Sequence, residues 1–308
     1  MTWLTIAQFL DSTLRAATPI ALAALGAVFA FRAGIFFLGL EGLMLISAFA
    51  AIAGTTWSGS AVVGVGIAII ASVITAALYW VVIVPLKADQ IIAGLGLSIL
   101  GLGATSFALA AIFDTRGAIS VEEGLWRPVT RADSGLGAMV TDLSVLVWLT
   151  PLIVVICWAV LRRTRFGLQL SAAGEFPFAA RSAGLRPGRL RLQAMIACGV
   201  LCALAGSELA LGSLRSFTEN ITQGQGFIAF TAAVFGGGLP IGAALASLFF
   251  GAASAFGIQT QLASEALPIP REAVLAVPYL LTIAAVWFAS LRRSRRGTIV
   301  GFGELRDE

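Results

Sequence analysis

Two carboxylates stand inside stretches otherwise built from apolar residues. Glu41 lies in Gly39-Leu40-Glu41-Gly42 within the run 34–55, and Glu208 lies in the run 190–214. An ionised group in hydrocarbon is expensive unless it is paired, hydrogen-bonded or wetted. At 1.5 Å per residue, Glu41 should sit about 12 Å inside its helix and Glu208 about 9 Å from the far end of its own. Such an acid is either simply protonated or bonded to backbone opened by neighbouring glycines, or else it lines a hydrophilic route or holds a discontinuous helix together. Arg32, just ahead of Glu41, can snorkel toward one membrane surface and meet an acid below it. Asn220, Thr222, Gln223 and Gln225 form an uncharged polar cluster at the mouth of a later run. It suits hydrogen bonding to a neutral polar solute, or serves as an ordinary loop.

Other chemistry is excluded by residue type. The chain has no His, which removes imidazole acid–base catalysis, Ser-His-Asp triads and His-ligated metals. Cys157, Cys198 and Cys202 all lie in apolar stretches and read as packing residues rather than metal ligands. The single lysine, Lys87, follows Leu86, so no Gly-Lys-Ser/Thr phosphate loop exists. No catalytic residue and no metal site is expected, and an intramembrane enzyme, such as a lipid-linked transferase, is disfavoured for want of a clustered constellation.

The elements that must position these residues are membrane spans. Of 308 residues, 58 % are apolar and only 12 % charged, with mean hydropathy +0.95; a soluble globule carries about 25 % charged residues. The apolar runs are continuous rather than alternating, which favours helices over a barrel. The reading is an all-α polytopic membrane protein forming one transmembrane domain over 1–308. Nine spans are expected, at about 16–31, 34–55, 60–84, 91–113, 143–161, 190–214, 226–238, 241–259 and 273–290, each judged against roughly 20 residues per crossing. Met1 to Leu10 reads as an interfacial segment rather than a signal peptide. With the N-terminus outside and the C-terminus inside, fourteen basic residues fall on inner segments and six on outer ones, as the orientation rule requires. The positive balance therefore needs no nucleic-acid partner. An external loop occupies about 114–142 and a long cytoplasmic loop about 162–190. The run 226–238 is kept as a crossing because demoting it would place Arg292-Arg293-Ser294-Arg295-Arg296 outside. Glycines concentrate in the spans, where they permit close packing or sliding helices.

The cytoplasmic loop contains Gly174-Glu175-Phe176-Pro177-Phe178-Ala179-Ala180-Arg181-Ser182-Ala183-Gly184. Pro177 suits a first helical turn, Glu175 the positive end of the helix dipole and Gly184 a C-terminal stop. A helix of about two turns, roughly 10 Å long, is expected. Its small Ala faces and projecting aromatics fit a peg for a soluble partner; a surface helix on anionic lipid is the other reading.

With these residues in view, the sequence resembles the permease subunits of bacterial ABC importers in the ribose, branched-chain amino-acid and nucleoside group. The resemblance rests on Arg32-Ala33-Gly34, on Gly39-Leu40-Glu41-Gly42, on the pattern from Gly174 through Ala180 and Arg181 to Gly184, on Gly226-Phe227-Ile228 and on Phe235-Gly236-Gly237. It spans about residues 12–295 and is nearest to the shorter permease of nucleoside importers served by basic-membrane-protein-type lipoproteins. The chain differs from the family at Phe37-Leu38, where Asn-Ile is usual, and at Gly238-Leu239, where Trp-Asn is frequent. The resemblance implies a second, homologous permease as partner, two cytoplasmic ATPases engaged by the 174–184 helix, and an external binding lipoprotein in a plasma (inner) membrane. It implies that ATP and Mg are used on the ATPases, with no cofactor on this chain. The expected activity is import of a small polar solute, a nucleoside or purine-like compound or a simple sugar. The alternative is an ion-coupled transporter using Glu41 and Glu208.

Overall fold

A computed structural model describes residues 3–114, 117–128 and 143–263. The expected span 273–290, the basic tail and the remainder of the 114–142 loop lie outside the described residues. Among the described residues there are ten α-helices: α1 Trp3–Arg32, α2 Leu40–Ser58, α3 Ala61–Ile83, α4 Gln90–Phe113, α5 Val145–Arg163, α6 Arg165–Glu175, α7 Pro177–Ser182, α8 Pro187–Ser207, α9 Gln225–Phe235 and α10 Pro240–Ala263. A π-helical segment, Glu208–Leu214, continues α8. Two short strands, β1 Ala118–Ser120 and β2 Ser216–Thr218, pair antiparallel with Ile119 opposite Phe217. Among the described residues, seven helices are long and apolar enough to cross a membrane.

The long helices run between two ends. One carries α6 and α7, the turn after α1 and the turn between α9 and α10; the other carries the strands. The helices α1, α2 and α8 form the centre: Leu22 to Leu25, Leu43, Met44, Cys198 and Cys202 are all buried. Close approach is set by small residues and backbone acceptors. Gly42 on α2 meets Gly101 on α4, while the Ser72 hydroxyl donates to the Gly199 carbonyl (2.8 Å) and that of Ser47 to the Cys202 carbonyl (3.1 Å). In lipid, where burial of apolar surface drives little association, such contacts hold helices together. The outward faces of α3, α4 and α5 carry Ile70, Ile74, Ile99, Phe107 and Leu152, as helices facing hydrocarbon should.

Three expectations about elements change. Residues 3–10 belong to α1 rather than to a separate interfacial segment. The run 34–55 is not helical throughout, because α2 begins at Leu40. Gly34 leaves α1 with φ +75, a conformation open to glycine at no steric cost. Residues 35–38 then run without helical structure, the Phe36 N–H being taken by the Gln90 side chain (2.6 Å). The run 226–238 yields α9, of 11 residues, about 16 Å long against a core near 30 Å. One helix of that length does not cross; the chain passes from the strand end to the α7 end through β2, an irregular stretch and α9 together.

Candidate functional site

The broken crossings meet at Glu41. As the second residue of α2 it lies in that helix's first turn, not deep inside a helix as its run suggested. Its carboxylate also faces the start of α9. Oε1 accepts from the Thr222 hydroxyl and from the Gly224 N–H (2.8 Å), and Oε2 accepts from the Gly226 N–H (2.6 Å). One negative charge thus serves two helix N-termini, each with unsatisfied N–H groups and a positive dipole end. The approach requires glycine at 226, since a Cβ there would run into the Glu41 backbone. Thr222 is fully buried and Glu41 nearly so. This is a closed clasp, with the acid bonding opened backbone across two broken helices.

The rest of the polar cluster divides. Asn220 and Gln223 are exposed, with φ +56 and +45, so they shape the turn into α9 and do not join Thr222 inside. Gln225 opens α9 beside the clasp, and its buried Oε1 makes no hydrogen bond. Gly39 and Gly42 serve packing: a Cβ on Gly39 would press on the Phe37 ring and Leu97, and one on Gly42 would strike the Leu97 carbonyl. Among the described residues Arg32 meets no acid; its Nε donates to the Gly238 carbonyl in the turn after α9 (3.0 Å).

Glu208 belongs to a separate centre at the strand end. It starts the π segment and is 1 % exposed. The Ser144 hydroxyl donates to its Oε2 (2.5 Å) and that of Ser213 to its Oε1 (3.5 Å). Ser144 is also the N-cap of α5, accepting from the Val147 N–H (3.4 Å), and the Arg127 guanidinium holds the Gly212 carbonyl (3.0 Å). The widened π turn lets the carboxylate lie over Gly212, where any Cβ would collide with it. Glu208 therefore ties the cap of α5 to the bulge. Ser144→Ala removes both the cap and this bond; it should cost about 1–2 kcal/mol of stability, seen as a lower melting temperature in detergent, with uptake at saturating solute retained.

At the opposite end, α6 and α7 form a corner. The Thr164 hydroxyl caps α6 by accepting from the Gly167 N–H (3.3 Å), and this Thr-x-x-Gly pattern is the sequence signal for a second helix within 162–190. Glu175 closes α6 rather than opening the next helix; Phe176 breaks the chain and Pro177 is the first residue of α7. Gly184, φ +80, stops it as expected, with the Leu185 N–H returning to the Ala180 carbonyl (3.0 Å). Ala180 is buried, whereas Phe176 and Phe178 are 69 % and 49 % exposed, with the Arg181 guanidinium over the Phe178 ring (5.7 Å). Gly174 lies against the end of α1, where a Cβ would strike the Arg32 carbonyl.

Comparison with known proteins adds a lineage to this geometry. Residues 9–286 match the family described as branched-chain amino acid transport system / permease component. The chain belongs to this permease family. Among its relatives are the guanosine ABC transporter permease protein NupQ of Bacillus subtilis, 33 % identical over 89 % of both chains, and the nucleoside ABC transporter permease protein NupC of Lactococcus lactis subsp. cremoris, 31 % identical over 86 % of this chain and 87 % of that one. A putative glucose ABC transporter permease of Haloferax volcanii is 29 % identical over 93 % and 92 %. No solved structure matches. The permease is thus a multi-pass plasma (inner) membrane transport subunit of an ABC system, not an enzyme in itself, and systems of this kind supply ATPase and substrate-binding partners. Membership places the chain among ABC permeases rather than among ion-coupled transporters using Glu41 and Glu208.

Proposed function

We propose that this permease imports a nucleoside or purine-like solute as one half of a transmembrane pair with a second, homologous permease. An external binding lipoprotein delivers the solute at the strand end, and two cytoplasmic ATPases, using ATP and Mg, grip α7. The observation that carries the reading is the α6–α7 corner. Two aromatics, Phe176 at the corner and Phe178 on a helix of six residues, are left exposed on a chain with no phosphate loop. Bare aromatic side chains in water favour a partner's pocket. Orientation follows, since α7 must face the cytoplasm, the side to which the basic residues assign it. The solute class rests on the relatives named for guanosine and nucleosides; the relative named for glucose keeps a sugar as second reading.

In this account the Glu41 clasp belongs to the moving parts, and Gly174, Glu175, Pro177, Ala180, Arg181 and Gly184 build the contact with the ATPase. Alternating access then separates or closes the two broken crossings as the ATPases change state. Uptake of radiolabelled guanosine into proteoliposomes holding the complete complex tests the function. The account expects uptake to require ATP and binding protein; uptake by this chain alone, driven by a proton gradient and indifferent to ATP, overturns it. Glu175→Arg reverses an exposed charge beside Phe176. It should leave the complex in the membrane hydrolysing ATP while guanosine uptake falls at least about tenfold, a cost near 1.4 kcal/mol.

A further inference from the structure

We infer that α9 and residues 32–41 move as one clasped body, and that the close contact of Gly174 with Gly34 is the joint through which α7 drives it. The inference rests on the importer reading above and assigns positioning roles to Gly34, Gly174 and Arg32. Both ends of α9 are tied to the same ten-residue segment. Its start is held by Glu41 through Thr222, Gly224 and Gly226, and the turn after its end is held by Arg32 through the Gly238 carbonyl (3.0 Å). The segment is itself braced: the Ile35 N–H returns to the Ala30 carbonyl (2.9 Å) and the Arg191 Nε reaches the Ala33 carbonyl (3.4 Å). Helix and segment form a closed ring, and neither end of α9 shifts alone without losing a charged hydrogen bond.

The α6–α7 corner touches the ring where Gly174 lies against Arg32, Ala33 and Gly34. A Cβ at Gly174 would meet the Arg32 carbonyl and, at 2.8 Å, the Gly34 nitrogen; one at Gly34 would lie 3.0 Å from the Gly174 carbonyl. Backbone against backbone is a stiff contact, with no side chain between to rotate away, and the interiors of proteins transmit displacement through such packing. Gly174 is three residues from Pro177, the start of α7, and Gly34 is seven from Glu41. A displacement of α7 therefore reaches the clasp through a short, close-packed path.

Spatial continuity alone does not establish coupling; non-additivity does. The complete complex is reconstituted with guanosine as probe, and guanosine transported per ATP hydrolysed is measured for Arg32→Gln, Glu41→Gln, their double variant and Gly174→Val. If both ends of α9 act as one unit, each single variant lowers the ratio at least about tenfold and the double is no worse than the poorer single, as for residues that work together. Stability losses in the same proteins should add, because the two sites share no partner. Gly174→Val should lower the ratio similarly while the ATPases still co-purify. Gly174→Ala, a smaller intrusion, covers the case in which valine prevents assembly, and Gly96→Val, on a glycine with open space around it, should leave the ratio unchanged. Losses that multiply in the double variant, or a ratio unchanged in both Gly174 variants, overturn the joint while leaving the importer intact. Absence of ATP-driven uptake in the unmutated complex overturns the importer reading, and the joint with it.

Discussion

Replacing Glu41 by Gln is expected to reduce guanosine uptake at least tenfold while the permease still inserts and assembles. The carboxylate accepts from Thr222, Gly224 and Gly226, and an amide offers one acceptor where two oxygens now serve. Its NH2 group would face a backbone N–H, donor against donor. Hydrogen bonds to a charged group contribute about 1.5–3 kcal/mol each, and a buried donor left without a partner adds a further cost. Summed with incomplete additivity, the α2–α9 junction should weaken by about 2–4 kcal/mol, enough to shift a closed-to-open ratio by roughly thirtyfold or more. Insertion is governed by the apolar faces of the helices, which the variant leaves alone. Thr222→Val removes one neutral donor and should cost about 1 kcal/mol, so its uptake should lie between wild type and Glu41→Gln. Normal uptake in Glu41→Gln would show that the clasp plays no part in transport.

The second large effect is expected at the opposite end. Truncating Phe176 and Phe178 together to Ala removes the two exposed rings of the α6–α7 corner. Aromatic anchors at interfaces cost about 2 kcal/mol or more each when truncated. The pair should therefore weaken association with the ATPases by about 3–5 kcal/mol, a hundredfold or more in Kd. Because both rings are largely exposed, the fold of the permease should survive, and its melting temperature in detergent should change little. Titrating purified ATPase onto the detergent-solubilised permease checks both statements. Full affinity in the double variant would remove α7 from the interface.

The two centres differed in how far composition exposed them. At α7, local rules locate the helix, with Pro177 in its first turn and Gly184 at the left-handed stop, but not that Glu175 ends a preceding helix, α6. Glu41 is visible as a charge in an apolar run, and bonding to opened backbone is among the readings its position allows. Its partners were not visible, because Thr222 lies 181 residues away and nothing in an apolar count pairs two distant segments. The same blindness made 34–55 and 226–238 appear as uninterrupted spans. Phe36 and Phe37 are as apolar as any helical residue, and it takes distant groups, the Gln90 side chain on the Phe36 N–H and the Ser98 hydroxyl on the Leu38 carbonyl, to satisfy backbone that leaves the helix there. Glu208 was noticed for its charge, yet the π turn that receives it depends on Gly212, one glycine among 34, with no pattern to single it out.

What joins these pieces is the claim that α7 is held by a separate ATPase and that the helices above it respond. The most direct measurement places a photo-crosslinking amino acid at position 178 in membranes containing the complete complex. The account predicts a covalent adduct with the ATPase subunit whose yield changes between the nucleotide-free and ATP-bound states. Adducts with lipid alone, or labelling only from the external face of the membrane, would contradict it.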